Sequence, residues 1–340
     1  MNGNPQQYLE RLYAGITPKY AFAAANEQEW ARWRETLRAV VAETLGRFPE
    51  HKTELQPDLI EETDMGDHIR QRVVFESDRD LQVPTYILVP KNAKGKLPAV
   101  IACHGHGYGS RAVVGLRADG TPNADDPDYH NNFAVELVRR GFLVAAPELL
   151  GFGDRRLADV GYNSPNENSC HPIAAQLLMM GRTIAGARVY DIFRTIDYLQ
   201  SRADADGERI GCMGISGGGL VAAFASALDD RIKVAAISGY VNTFKDSIMS
   251  IRHCIDNYIP NMLLHAEMPD IVGLIAPKPL LVESGTADRI FPVGAAKEAV
   301  SKIARIYGLL GENDKLGHDV FEGKHQISGN MAYDWFVKWL

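Results

Sequence analysis

The apolar and polar positions of the chain fall into two regimes. Up to about residue 60 the pattern is helical. In "EQEWARWRETLRAVVAETLG" the side chains Trp30, Trp33, Leu37, Val40, Val41 and Leu45 recur at spacings of three, four, three, one and four, which lines them along one face of an amphipathic helix. Gly46 and Pro49 end it. Residues 1–68 are therefore expected to be a helical extension that packs on the rest of the chain without a core of its own. From about residue 69 short apolar runs separated by loops take over: "IRQRVVFES", "VPTYILVP", "LPAVIACHG", "GFLVAAPEL", "RIGCMGIS", "IKVAAISG", "PLLVESG" and "DVFEGKH". The first two, joined by a short connection, predict an antiparallel edge. Most of the later runs are separated by helix-length stretches such as "YHNNFAVELVRRG" and "AGARVYDIFRTIDYLQSR", where Val189, Ile192, Phe193, Ile196 and Leu199 keep helical spacing. Strands alternating with amphipathic helices predict an α/β fold for residues 69–340, its mostly parallel sheet covered on both faces. Longer irregular stretches at about 107–127, 151–181 and 240–277 follow strand ends. Ligands bind at the carboxyl ends of strands in open α/β sheets, so these stretches are candidate pocket walls.

Composition narrows the function classes. The 340 residues are 46% hydrophobic and 23% charged, as in an ordinary globular protein. A net charge of −7 with no run of five or more Lys/Arg argues against nucleic acid or an anionic membrane as partner. The opening "MNGNPQQYLERLYAG" has no basic segment leading into an apolar one, and no stretch approaches the ~18 apolar residues of a membrane span. A cytoplasmic protein is the expectation. Cys103, Cys170, Cys212 and Cys254 show no C-x-x-C spacing, and Cys103 and Cys212 lie in apolar runs, so free structural thiols are expected.

The stretch "IGCMGISGGGLVAAFA" (210–225) concentrates four glycines and a serine between a strand and a helix. A P-loop would need a Lys after the glycines, and none is there. Gly217, Gly219 and Ala222 fit a dinucleotide fingerprint, but the next strand ends in Ser238 and Gly239, where an acidic residue should hold the ribose. The remaining reading is G-x-S-x-G over Gly214–Gly218, in which a serine is presented on a tight strand-to-helix turn.

A serine hydroxyl becomes nucleophilic when a histidine takes its proton and a carboxylate orients that histidine. On such a turn the partners follow in the order acid, then histidine. Asp288 lies in the loop after "LLVESG" and His325 in the loop after "DVFEG". Glu283 sits inside its strand and is the weaker acid; Asp246 and Asp256 come from the preceding loop. His253, His265 and His318 are read as structural or surface residues. The oxyanion of acyl transfer needs two donors: the backbone N–H of Gly217, and that of His106 in "CHGHGYG", with Gly107 as second choice. No carboxylate or further histidine is spaced along the chain to complete a metal site with His104 and His106, so neither metal nor cofactor is expected.

Taken in order, "HGHGYG", "PELLGFGDRR", "CHP" followed by "GRTIAG", "RIGCMGISGGG", "SGTADRIFP" and "EGKHQISG" resemble the α/β-hydrolase superfamily. More narrowly, they resemble its acetyl xylan esterase and cephalosporin-C deacetylase-like group, related to dienelactone hydrolases. The resemblance spans about residues 70–340. It implies an α/β-hydrolase fold, a Ser216, Asp288, His325 triad, and His106 and Gly217 as oxyanion donors. It also implies a serine carboxylesterase for short acyl groups, acetyl first, with carbohydrate esters as one substrate class. The chain departs from the group at Gly217, where the deacetylases commonly carry Gln, and it has Ser216 where dienelactone hydrolases use Cys. Tyr108, Tyr240 and Phe244 are expected to shape the alcohol side of the pocket. Two alternatives remain: a peptidase of prolyl-oligopeptidase type, which usually adds a large β-propeller, and a non-catalytic binding protein, which typically loses a triad member. The expected partner is a small ester; the sequence leaves a homo-oligomer open.

Overall fold

A computed structural model describes residues 4–340 except 92–93, 124–126 and 159–160. Two of the expected insertions, 107–127 and 151–181, thus lie partly outside the described residues. The chain opens with helices α1 (Pro5–Ala14) and α2 (Glu27–Thr44). Asn26 caps α2 by accepting the Glu29 N–H at 2.9 Å, and the Glu29 carboxylate reaches back to the Ala25 N–H at 2.9 Å, which satisfies donors that the first turn leaves unpaired. Leu37, Val41 and Leu45, four apart, enter the main core, so this helix packs on the larger unit as its periodicity predicts.

The helical reading of the extension stops short of residue 68. Asp58–Asp64 form β1, antiparallel to β2 (His68–Asp78). This strand is solvated on both faces, so "DLIEETD" has no apolar alternation by which to be recognised. Next come β3 (Leu81–Pro90), β4 (Leu97–Cys103), α3 (Phe133–Arg139), β5 (Leu143–Pro147), α4 (Cys170–Met179), α5 (Ile184–Ser201), β6 (Ala205–Ile215) and α6 (Gly217–Leu228). The remainder is β7 (Ile232–Ser238), α7 (Met262–His265), α8 (Met268–Gly273), β8 (Leu280–Gly285), α9 (Val293–Leu309), β9 (Leu316–Phe321) and α10 (Ala332–Trp339).

One nine-stranded sheet has the order β1-β2-β3-β5-β4-β6-β7-β8-β9. The β1–β2, β2–β3 and β3–β5 pairings are antiparallel and all later ones parallel. Alternation along β4 shows why both faces must be covered. Ala99, Ile101 and Cys103 join one core with residues of α2, α5, α6 and α8, while Val100 and Ala102 join a second with residues of α3 and α10. Parallel strands buried on both faces read as continuous apolar runs, as these do. Among the described residues no helix is long and apolar enough to cross a membrane. The carboxyl ends of β4, β6, β7, β8 and β9 open on the same edge of the sheet, and the chemistry collects there.

Candidate active site

Ser216 stands between β6 and α6 at φ 57°, ψ −124°. A side-chain-bearing residue held there stores on the order of 1–3 kcal/mol of strain. The surroundings enforce it: the Ser216 N–H donates to the Ser238 carbonyl at 3.1 Å, and the Leu220 N–H donates to the Ser216 carbonyl at 2.9 Å. Glycine is required on either side by close approach. A Cβ on Gly218 would collide with the carbonyl oxygens of Cys103 and His104, and one on Gly214 with the carbonyl of Gly218. The glycines of "GISGG" thus let the end of β4 and the start of α6 close around one serine.

The histidine expected for this serine is fixed on three sides. His325 Nδ1 lies 2.8 Å from Asp288 Oδ2. Its ring is stacked between Tyr129, with centroids 5.6 Å apart, and Phe291, at 5.7 Å. Asp288 is oriented in turn by the N–H groups of Ile290 and Phe291, which donate to Oδ1 at 2.8 and 3.0 Å. Burial alone would raise the Asp288 carboxyl, but His325 and these N–H donors outweigh it and hold it below the ordinary range. His325 Nε2 is buried without a hydrogen-bond partner among the described residues. Glu283 is also buried, but it bonds to the Ser238 hydroxyl and accepts the Gly329 N–H at 2.9 Å. Burial pushes its carboxyl up to about 7.

Ser216 and His325 line a cavity of about 380 Å³ together with His106, Tyr129, Gly217, Ile290, Phe291 and residues Ile251–Cys254 and Asn257. Among the described residues of the three candidate insertions, only those of 240–277 contribute to this lining. The aromatic residues expected there lie elsewhere. Tyr240 turns inward over α6, fully buried, with its ring 5.6 Å from that of Phe291. Phe244 lines a separate apolar cavity with Ile248 and Met249. Tyr108 donates its hydroxyl to the Leu116 carbonyl at 3.0 Å. Conversely His253, read as structural or surface, lines the cavity, with its ring 5.5 Å from Phe291. His265 stacks on Tyr20, and His318 bonds to Ser284.

The second side of the site is built around His106. Its ring occupies the space that a side chain on Gly217 would need, with Cε1 2.9 Å from the position of such a Cβ. The ring meets Phe152 edge-on, and Nε2 faces Asp256 Oδ2 at 3.4 Å. Asp256 is paired at 2.5 Å with Arg188, a fully buried guanidinium that also donates to the Leu150 carbonyl and to Cys170 Sγ. Burial would raise Asp256, but His106 and Arg188 keep it below its usual range; burial pushes the His106 imidazole down despite Asp256. Tyr129 joins the two sides. Its hydroxyl donates to the His106 carbonyl at 2.5 Å, and its carbonyl accepts the Ile327 N–H at 2.9 Å, two residues beyond His325. Nothing in the sequence around Tyr129 marks it; only its tertiary contacts do. The "PELLG" loop is tied in as well, through Leu149 N–H donating to His104 Nε2 at 3.0 Å and Ser110 donating to the buried Glu148.

A strained serine at a strand-to-helix turn, in a nine-stranded sheet of this order, defines an α/β-hydrolase. The Abhydrolase family model matches residues 6–306, and the chain belongs to that family. It is 29% identical over 286 residues to YtaP of Bacillus subtilis (strain 168), a candidate hydrolase, covering 83% of this chain and 90% of that protein. Among solved structures, a candidate acetyl xylan esterase of Bacteroides fragilis NCTC 9343 superposes with a TM-score of 0.80 at 18% identity, over 94% of this chain and 82% of that one. A glucuronoyl esterase from Solibacter usitatus gives 0.68 at 17% identity, over 95% of each chain. These two likenesses show the α/β-hydrolase fold.

Proposed function

We propose that the chain is a serine carboxylesterase acting on short-chain, acetyl-type esters, with carbohydrate esters as the substrate class. The observation that carries this reading is the convergence of strained Ser216 and the Asp288-bound His325 on one cavity. Asp288 holds the His325 proton on Nδ1, which leaves Nε2 free to accept the Ser216 proton as Oγ attacks the ester carbonyl. The tetrahedral oxyanion is held by the N–H groups of Gly217 and His106. Gly217 supplies one of the leading donors of α6, which have no partner within the helix. His104 Nδ1 lies 2.7 Å from the Gly105 carbonyl. In a trans peptide the His106 N–H points opposite to that carbonyl, away from His104. His325 then gives its proton to the leaving alcohol, and water repeats the sequence on the acyl-enzyme. The acetyl xylan esterase and glucuronoyl esterase names of the structural neighbours favour a sugar-linked ester.

The test is the intact mass after treatment with a fluorophosphonate, beside turnover of p-nitrophenyl acetate and of a peptide amide. One adduct on the native chain, none on Ser216→Ala, and ester turnover exceeding amide turnover are expected. An unmodified native chain rejects the serine mechanism; faster amide cleavage turns the reading toward a peptidase.

A further inference from the structure

His106 has, in space, the partners it lacks along the chain. One ligand atom from each of His106, Cys170, Cys254 and Asp256 can be chosen so that all four lie within 4.8 Å of one another. They arrive from three places: the loop after β4, the first residue of α4, and the stretch after β7. We propose that these four side chains form a binding site for a soft divalent cation of the zinc class, beside Gly217 of the serine turn.

The donor chemistry selects the ion. Two thiols and an imidazole favour Zn²⁺ or Co²⁺ over the hard, oxygen-seeking Mg²⁺ or Ca²⁺. His106 Nε2 is buried and makes no hydrogen bond among the described residues, although the Asp256 carboxylate stands only 3.4 Å away, so a ligand atom is aimed into the cluster without an aligned partner. The Nε2 to Asp256 separation of 3.4 Å already suits two donors on one tetrahedral ion, whose ligand atoms stand roughly 3.3–3.8 Å apart for bonds of ~2.0–2.3 Å. The remaining pairs, none more than 4.8 Å apart, need to close by at most about 1 Å.

The charge also balances. Without an ion, the anionic Asp256 is offset by the Arg188 guanidinium, and with both sulfurs as S–H the site carries no net charge. Zn²⁺ entering with loss of the two S–H protons forms two Zn–S bonds and releases two protons to solvent, leaving the same net charge in the buried site. Arg188, with Nη2 3.0 Å from Cys170 Sγ, favours the thiolate that results. Four protein ligands leave no open position for substrate, which makes this a structural or regulatory ion and not a Lewis acid for the reaction. The site rests on its own geometry and stands whether or not the chain hydrolyses esters.

The experiment uses the full chain, tag-free, chelator-treated and kept in a non-thiol reductant. Titration with Co²⁺ is expected to give a thiolate-to-cobalt charge-transfer band that saturates at one ion per chain and is bleached by Zn²⁺. In the double variant Cys170→Ser, Cys254→Ser the band is lost. Should that variant not fold, proton release from the native chain in weak buffer decides: about two protons per Zn²⁺ are expected. Absence of the band on the native chain, an equal band on a folded double variant, or Zn²⁺ uptake with no proton release overturns the proposal.

Discussion

Two histidines flank the Ser216–Gly217 turn, and they are held in opposite ways. His325 lies in a loop just past β9, stacked between Tyr129 and Phe291 and bonded through Nδ1 to a carboxylate that two backbone N–H groups orient. His106 faces a carboxylate with Nε2, and that carboxylate is locked by a fully buried arginine. In both, Nε2 is buried and makes no hydrogen bond among the described residues. The difference lies in what surrounds that atom. Holding a histidine by Nδ1 frees Nε2 for a proton on the cavity side. Setting Nε2 beside a carboxylate and two sulfurs suits it to the proposed cation site, and in the proposed mechanism the backbone of the same residue meets the substrate.

The comparison predicts that damage on the His325 side costs rate, while damage on the His106 side costs stability. Asp288→Asn should lower kcat for p-nitrophenyl acetate by on the order of 10³–10⁴-fold, because the histidine then takes the wrong tautomer. Its urea midpoint should stay close to native; a comparable loss of stability would merge the two sides. Arg188→Met should destabilise the chain by about 3–5 kcal/mol in urea unfolding, since it strands Asp256 as a buried unpaired charge. A change below about 1 kcal/mol would mean that His106 and water carry Asp256 without the arginine.

Beneath the His325 loop, Glu283 supplies a pH test. Its carboxyl is raised from 4.5 to about 7 by burial, so between these values the folded chain binds more protons than the unfolded one. Its contribution is complete below about pH 4.5 and is lost as pH rises through about 7, a fall of about 3 kcal/mol. Glu283→Gln, which mimics the protonated form, should flatten that part of the stability profile. Some slope will persist from Glu267, which burial also raises to about 7. The smallest effect expected is from Gly217→Ala. The added methyl must push against the His106 ring at 2.9 Å, and kcat should drop on the order of 10–100-fold through misplacement of the oxyanion loop. Unchanged kcat would show that the ring can yield without moving its backbone.

Much of the His325 side is legible in the sequence. Ser216, Asp288 and His325 each follow the end of an apolar strand, and the turn, the acid and the histidine come in a fixed order. The pocket wall was legible only as a stretch, 240–277 after a strand end, and not residue by residue. Ile251–Asn257 belong to an irregular stretch with no periodicity, and Tyr240 and Phe244, just past β7, turn inward because the chain folds back over α6. The edge strand β1 was missed because a strand solvated on both faces carries no alternation. The departure at Gly217 was visible as a missing side chain, but its occupant was not: His106 fills the space from another loop.

The sequence by itself determined the alternation of strands and helices, the strained serine turn, and the order of the residues that meet there. These are local matters of period, glycine and strand end, written within a few residues of where they act. Only the tertiary structure decided that Tyr129 bridges the two histidines, and that His106, Cys170, Cys254, Asp256 and Arg188 share one partly buried cluster. Those contacts join positions up to 196 residues apart, as Tyr129 and His325 are, and no local pattern encodes them because packing of whole elements sets their distance.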